Sequence, residues 1–292
     1  MSEMIEMPKA KPLYIRRRQP RLEVAKPHKG GSRENNKLQI QDRAIHQWYR
    51  FVLPFPAHLV RDYLAAFHLG EQNTVLDPFC GTGTTLIECK KMGIASFGLE
   101  SNPVVNFASQ TKLRWDVPPK ALLAHALKVA AVATRILEGQ GLVESGQGRL
   151  CEGTSQPEFP LRTLPEESAD LLLTDSISIL PLHRTLVLLD TLAQHQDSQF
   201  IDHERLALAD ALVSGISNLH FGPEVGIGPA KPDAPVVALW LDKIRAMVQD
   251  LENLPAQNTT PATVYRADAR EVASALRPGD QALFWRHDQT LG

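Results

Sequence analysis

The sequence predicts an α/β protein: an open parallel sheet with packed helices, interrupted by a large helical insertion. Three observations predict it. Residues 74–115 run in the order strand, glycine turn, helix, strand, helix, which implies a right-handed crossover and parallel strands. Long helical patterns then occupy about 119–259. A strand pattern returns at "ATVYRAD", 262–268, so the sheet resumes after the insertion.

The elements follow in order. Residues 1–44 are rich in Pro, Lys, Arg, Asn and Gly without a clear period and read as a basic, mostly irregular arm. Residues 45–118 form the first half of the core. His58 to Phe67 reads as a helix with Leu59, Val60, Tyr63, Leu64 and Phe67 inward, stopped by Gly70. "NTVLD" is a short buried strand, "TTLIECKKMG" a helix ended by Gly93, and "IASFGLE" a second strand ending in Glu100. "NPVVNFASQTKLRW" is a second helix. Beyond Pro118, "PPKALLAHALKVAAVATRILEG", "LPLHRTLVLLDTLAQH", "DHERLALADALVSGISNLHF" and "APVVALWLDKIRAMVQDLENL" read as helices between loops rich in Gly, Pro and Ser. Residues 260–292 resume the core, with "AREVASAL" as a helix and "DQALFW" as a last strand. Three or four strands in all make an incomplete sheet.

Composition narrows the class. The net charge of -2 offers no global argument for nucleic acid. The first fifty residues nonetheless carry twelve Lys/Arg against five Asp/Glu, and Arg16, Arg17 and Arg18 are candidates for DNA phosphates. A solvated arm is the alternative. Cys80, Cys89 and Cys151 have no paired spacing, which argues against a disulfide framework or a zinc cluster, so no metal is expected. The expectation is a cytoplasmic protein without a signal peptide or membrane partner, because no apolar run approaches ~18 residues.

The chemistry centres on "VLDPFCGTGTT", Val75 to Thr85. Asp77 closes a strand, and Gly81 and Gly83 lie in the turn before a helix. In an open parallel sheet, ligands bind beyond the carboxyl ends of the strands. Glycines there let backbone touch the ligand, and the free amides at Thr84 and Thr85 can bind a carboxylate or polarised group. The dinucleotide pattern G-x-G-x-x-G fails because residue 86 is Leu, and the phosphate loop fails because no Lys follows the second glycine. An acid at the end of the second strand, Glu100, stands about twenty residues on, where ribose hydroxyls are bound.

"DPFCGTGTTLIECKKMGIASFGLESNP" resembles the cofactor motif of S-adenosylmethionine-dependent methyltransferases, above all the DNA methyltransferases that modify exocyclic amino groups. The resemblance implies a Rossmann-like class I methyltransferase sheet and DNA as substrate. It implies that Asp77, Pro78, Phe79, Cys80, Gly81, Thr82, Gly83 and Thr84 bind S-adenosylmethionine, with Glu100 on the ribose and Asn102 beside it. "FVLPFPAHLVRDYL" resembles the segment that closes over the methionine end in these enzymes. "YRADAREV" resembles their later acidic motif, in which Asp268 would bond the adenine amino group. RNA guanine methyltransferases carry similar turns and are a rival reading. A cofactor-binding or DNA-binding subunit without catalysis is another.

The family's catalytic loop has the form Asp/Asn/Ser-Pro-Pro-Tyr/Phe and acts on a base flipped from the duplex. By spacing it falls at about 286–290, where the sequence reads "RHDQT". The other catalytic candidate is Asp175, in "LLLTDSISIL". The expectation is therefore the N-terminal, cofactor-binding part of a DNA methyltransferase, cut short before that loop, with a second polypeptide carrying the catalytic half as an implied partner. Cys80 reads as a small side chain filling the turn rather than as a nucleophile. His46, Trp48 and Tyr49 read as packing residues, with base stacking as the alternative.

Overall fold

Val75 and Leu76 have no polar partner to seek and are fully buried in β1, Thr74–Asp77. This is the central strand of the computed structural model, which describes residues 38–50, 55–143, 159–221, 225–254 and 258–272 and the backbone of Leu283–Phe284. β2, Ala95–Leu99, pairs with it in parallel from Thr74↔Ala95 to Asp77↔Gly98. The chain then leaves the sheet for more than 150 residues. It returns next to β2 as a strand at Ala262–Tyr265, in register Ser96↔Ala262 to Leu99↔Tyr265. Leu283–Phe284 pairs in parallel with the other side of β1.

Three helices belong to the first half, and a fourth opens the helical region. α1, Ala57–Ala66, buries Ala57, Val60 and Leu64, the last two in one cluster with Val75 of β1 and Cys89 of the next helix. α2, Thr84–Lys91, follows the glycine turn and is ended by Gly93 at φ +75°. α3, Pro103–Leu113, and α4, Pro119–Gly139, each start on a proline whose missing N–H is not needed there. The helical region continues with α5, Glu166–Ala169, α6, Ile179–Gln194, α7, Ile201–Ala211, and α8, Val236–Asn253. α4 packs on α6 and α8, and α7 on α8 and α3. One apolar core runs from Cys80, Leu86 and Ile87 in the sheet region through Leu122, Val129, Leu188 and Trp240 in the helices. The helical residues are therefore a packed layer on the α/β core. No helix among the described residues is long and apolar enough to cross a membrane.

Several expectations change. The helix over "DHERLALADALVSGISNLHF" ends at Ala211, widens into a π turn at Leu212–Ile216, and gives way to a hairpin. Its strands are β3, Leu219–Phe221, and β4, Val225–Ile227. The strand at Ala262–Tyr265 is thus β5 and Leu283–Phe284 is β6, in the sheet order β5-β2-β1-β6. "AREVASAL" opens on a 3-10 turn, Ala269–Glu271, capped by Asp268, and its remainder lies outside the described residues. Of the arm, only residues 38–44 are described; they hold a 3-10 turn, Ile40–Asp42, and Asp42 is buried. Asp42 and Glu88 both bind the Arg61 guanidinium, at 2.8 and 2.6 Å, and Glu88 also bonds His46 at 2.7 Å and Lys91 at 2.9 Å.

Candidate cofactor-binding site

The turn is built by its own sequence. Asp77 ends β1, and its Oδ1 accepts from the Phe79 N–H at 3.0 Å, which folds the chain back on itself. The Cys80 N–H donates to the Leu99 carbonyl at 3.1 Å, stitching the turn to β2. The Gly83 N–H donates to the Cys80 carbonyl at 2.8 Å and Gly83 then caps α2. Gly81 and Gly83 have φ of +51° and +86°, the left-handed region that other residues enter at a cost. Gly83 also lies against α3, where a Cβ would meet the Ser109 Cβ at 3.2 Å.

Gly98 is a residue of the candidate site that sequence reasoning missed. A Cβ there would stand 2.7 Å from the Cys80 Sγ and 2.8 Å from its Cβ. Its absence lets the turn lie flat on β2. The signal was a glycine inside a strand pattern, which marks close backbone approach.

The parallel order β5-β2-β1 brings three strand ends to one edge of the sheet. Asp77 ends β1, Glu100 follows β2, and Asp268 follows β5 by three residues. The Glu100 N–H donates to the Tyr265 carbonyl at 3.1 Å, and its Oε1 accepts from the Asn102 N–H at 2.7 Å. Burial pushes the Cys80 thiol well up, and the carboxylates of Asp77 and Glu100 push it further. The thiol stays protonated, which removes a thiolate nucleophile from the site.

Other predicted residues are placed as follows. Phe79 is 74 % exposed and Pro78 half-buried, while Cys80, Thr82 and Thr84 are buried and offer backbone rather than side chain. Asn102 caps α3, its Oδ1 accepting from the Val104 and Val105 N–H groups at 2.9 and 3.2 Å. Asp268 accepts from the Arg270 N–H at 2.9 Å and from its guanidinium at 3.0 and 2.6 Å. Arg270 holds the Asp268 carboxyl at about 2. Asp175 ends no strand of the sheet; it is an exposed residue at φ +59° ahead of α6, and its carbonyl accepts from Asn218 at 2.9 Å. The run before it, Leu171 to Leu173, is exposed and not a strand. Arg16, Arg17 and Arg18 lie outside the described residues, as does 286–290.

The edge has room for a ligand. Nothing lies within 4 Å of the position a Gly81 Cβ would take. The first amides of α2, at Thr84 and Thr85, have no partner within the helix. The carboxylates of Asp77 and Glu100, both near enough to act on Cys80, repel a phosphate and favour hydroxyls and positive charge, while Asp268 is paired with Arg270. A bare glycine turn beside strand-end acids lies where ligands bind in open α/β sheets.

Residues 22–107 match the family model of DNA methylases of the N6/N4 type. The chain is also similar to the type II methyltransferase M.BsoBI of Geobacillus stearothermophilus, 36% identical over 72 residues, which is 25% of this chain and 14% of the relative. A second relative is the type II methyltransferase M.MjaII of Methanocaldococcus jannaschii, 36% identical over 74 residues, with the same shares covered. The chain thus spans a small part of the length of the curated relatives it matches. No solved structure gives a significant match. The residues that match include the glycine turn and the acid after β2.

Proposed function

We propose that this chain serves site-specific DNA methylation, with S-adenosylmethionine as donor and the exocyclic amine of cytosine or adenine as acceptor. The observation that carries the reading is the Asp-Pro-Phe-Cys-Gly-Thr-Gly turn seated on Gly98, with Glu100 at the adjacent strand end. It is supported by the family match over the same residues.

In this reading each group has a task. The bare face of Gly81 and the amides of Thr84 and Thr85 receive the methionine end, whose carboxylate suits a helix N-terminus. The Asp77 carboxylate faces its positive charge. Glu100 accepts from the ribose hydroxyls, and Asp268 accepts from the adenine amine, which Arg270 must share or yield. When bound, the cofactor supplies an electrophilic methyl on a sulfonium. Arg16, Arg17 and Arg18 contact DNA phosphates, a term that weakens with salt.

The test is transfer of a labelled methyl from S-adenosylmethionine to duplex DNA, with structured RNA as the rival substrate. The expected result is label in the amino group of one base at a defined sequence. Label in RNA alone would replace the reading. Cofactor binding with transfer only after a second polypeptide is added would identify a cofactor-binding subunit.

A further inference from the structure

α3 begins beside the strand-end site, and its first turn carries a buried amide with nothing to bond. Asn106 is 5% exposed, and among the described residues its Nδ2 has no hydrogen-bond partner. Its backbone is ordinary helix. The Asn106 N–H donates to the Asn102 carbonyl at 2.8 Å, and its carbonyl accepts from the Ser109 hydroxyl at 2.8 Å. The unmet group is therefore in the side chain. A buried donor without an acceptor costs free energy, and folded proteins keep few of them.

The neighbours on its helix face locate it, because residues three and four positions apart share a face. Asn102, four before, caps the helix and sends its own N–H to the Glu100 carboxylate at 2.7 Å. Ser109, three after, lies against Gly83 and within bonding reach of the Cys80 thiol, both in the glycine turn. Gln110, four after, donates from Nε2 to the Val264 carbonyl of β5 at 3.1 Å. These three neighbours touch three parts of the candidate site: the acid after β2, the turn after β1, and β5. Asn106 lies among them. It stands one helical turn nearer the strand ends than Gln110, and helical side chains lean toward the helix N-terminus, so its amide leans toward Glu100.

The donor supplies what the rest of the site lacks. The ionised carboxylates of Asp77 and Glu100 only accept hydrogen bonds. The free amides of Thr84 and Thr85 are taken up by the methionine end in the reading above. An adenosine also presents acceptors, its ring nitrogens and ribose oxygens, and these need a donor.

We propose that Asn106 is a further ligand-binding residue of this site, donating from Nδ2 to an acceptor atom on the adenosine half of the cofactor. The identity of the ligand rests on the cofactor reading above. The unmet donor between Glu100, the glycine turn and β5 does not. The amide is covered in the free molecule, and the side chain turns toward the ligand as it enters. Keeping an unmet donor in the free fold is a stability cost of a kind that binding sites carry.

The experiment uses the full chain in two arms. In the wild type, the Asn106 side-chain amide signals are followed by NMR while S-adenosylmethionine is added, and they should move with the same saturation as binding. In the second arm, Asn106→Leu replaces the amide by an apolar group of similar shape. The variant should bind the cofactor roughly two- to tenfold more weakly, the range of one hydrogen bond. Its urea midpoint should hold or rise, because the unmet donor is gone. A midpoint and an affinity that fall together mark a structural role and overturn the proposal. Amide signals that stay still while the wild type saturates overturn it as well, whether or not the variant folds. Binding that Asn106→Leu leaves untouched overturns the proposal alone, whereas a wild-type chain that binds no S-adenosylmethionine overturns the cofactor reading and the proposal with it.

Discussion

Gly98 and Cys80 meet across the gap between β2 and the turn, with no room for one more carbon. In Gly98→Ala the added methyl would overlap both the sulfur and the Cβ of Cys80, so the turn must lift. Overpacking of this kind costs about 1–3 kcal/mol. The urea midpoint of the variant should fall, and S-adenosylmethionine binding should weaken with it. The double variant Gly98→Ala, Cys80→Gly should recover part of the loss, because the two residues share the strain. A Gly98→Ala protein as stable as wild type would show that the turn does not rest on β2.

At the scale of elements, α1 and α2 are joined by charge as well as by Val60, Leu64 and Cys89. Glu88 is 1% exposed and answers to His46, Arg61 and Lys91. Burial alone would raise its carboxyl, but the bonds from His46 and Lys91 prevail and hold it at about 2 against an ordinary 4.5. Its folded pKa lies below its unfolded one. The stabilisation is therefore complete above about 4.5 and is lost as pH falls toward about 2. Glu88→Gln should cost on the order of 3–5 kcal/mol at neutral pH, as for other broken buried pairs, and should flatten the acid limb of the stability curve. An unchanged acid limb would mean that another carboxylate governs it. The longer helices and the strands of the sheet were legible in the sequence because period and punctuation coincide: proline opens α3 and α4, and Gly93 closes α2, whereas the short α5 was not. The hairpin β3–β4 was not. "LVSGISNLHF" continues the apolar helical spacing of α7, and the π turn at Leu212–Ile216 ends the helix without a proline.

At the scale of the molecule, long-range pairing was the part hidden from sequence. Asp250 bonds Trp48 across 202 positions, and Lys112 bonds the Tyr49 carbonyl across 63. No local pattern marks such partners. His46, Trp48 and Tyr49 were legible as packing residues by their apolar bulk, but the charges that seat them were not. The candidate site was more legible than its surroundings, because its motif is contiguous from Asp77 to Thr84 and Glu100 follows on the next strand. Asp268 was legible only by resemblance, and the strand order explains why it comes to the same edge: β5 returns beside β2 after the helical layer.

The most direct test of the central claim is calorimetric titration of S-adenosylmethionine into the full chain and into Glu100→Gln and Asp77→Asn. Hydrogen bonds to charged groups contribute about 1.5–3 kcal/mol, so each substitution should weaken binding by roughly ten- to a hundredfold. The account predicts saturable binding at one site per chain in the wild type and that loss in both variants. No binding in the wild type, or binding that neither substitution alters, would contradict it.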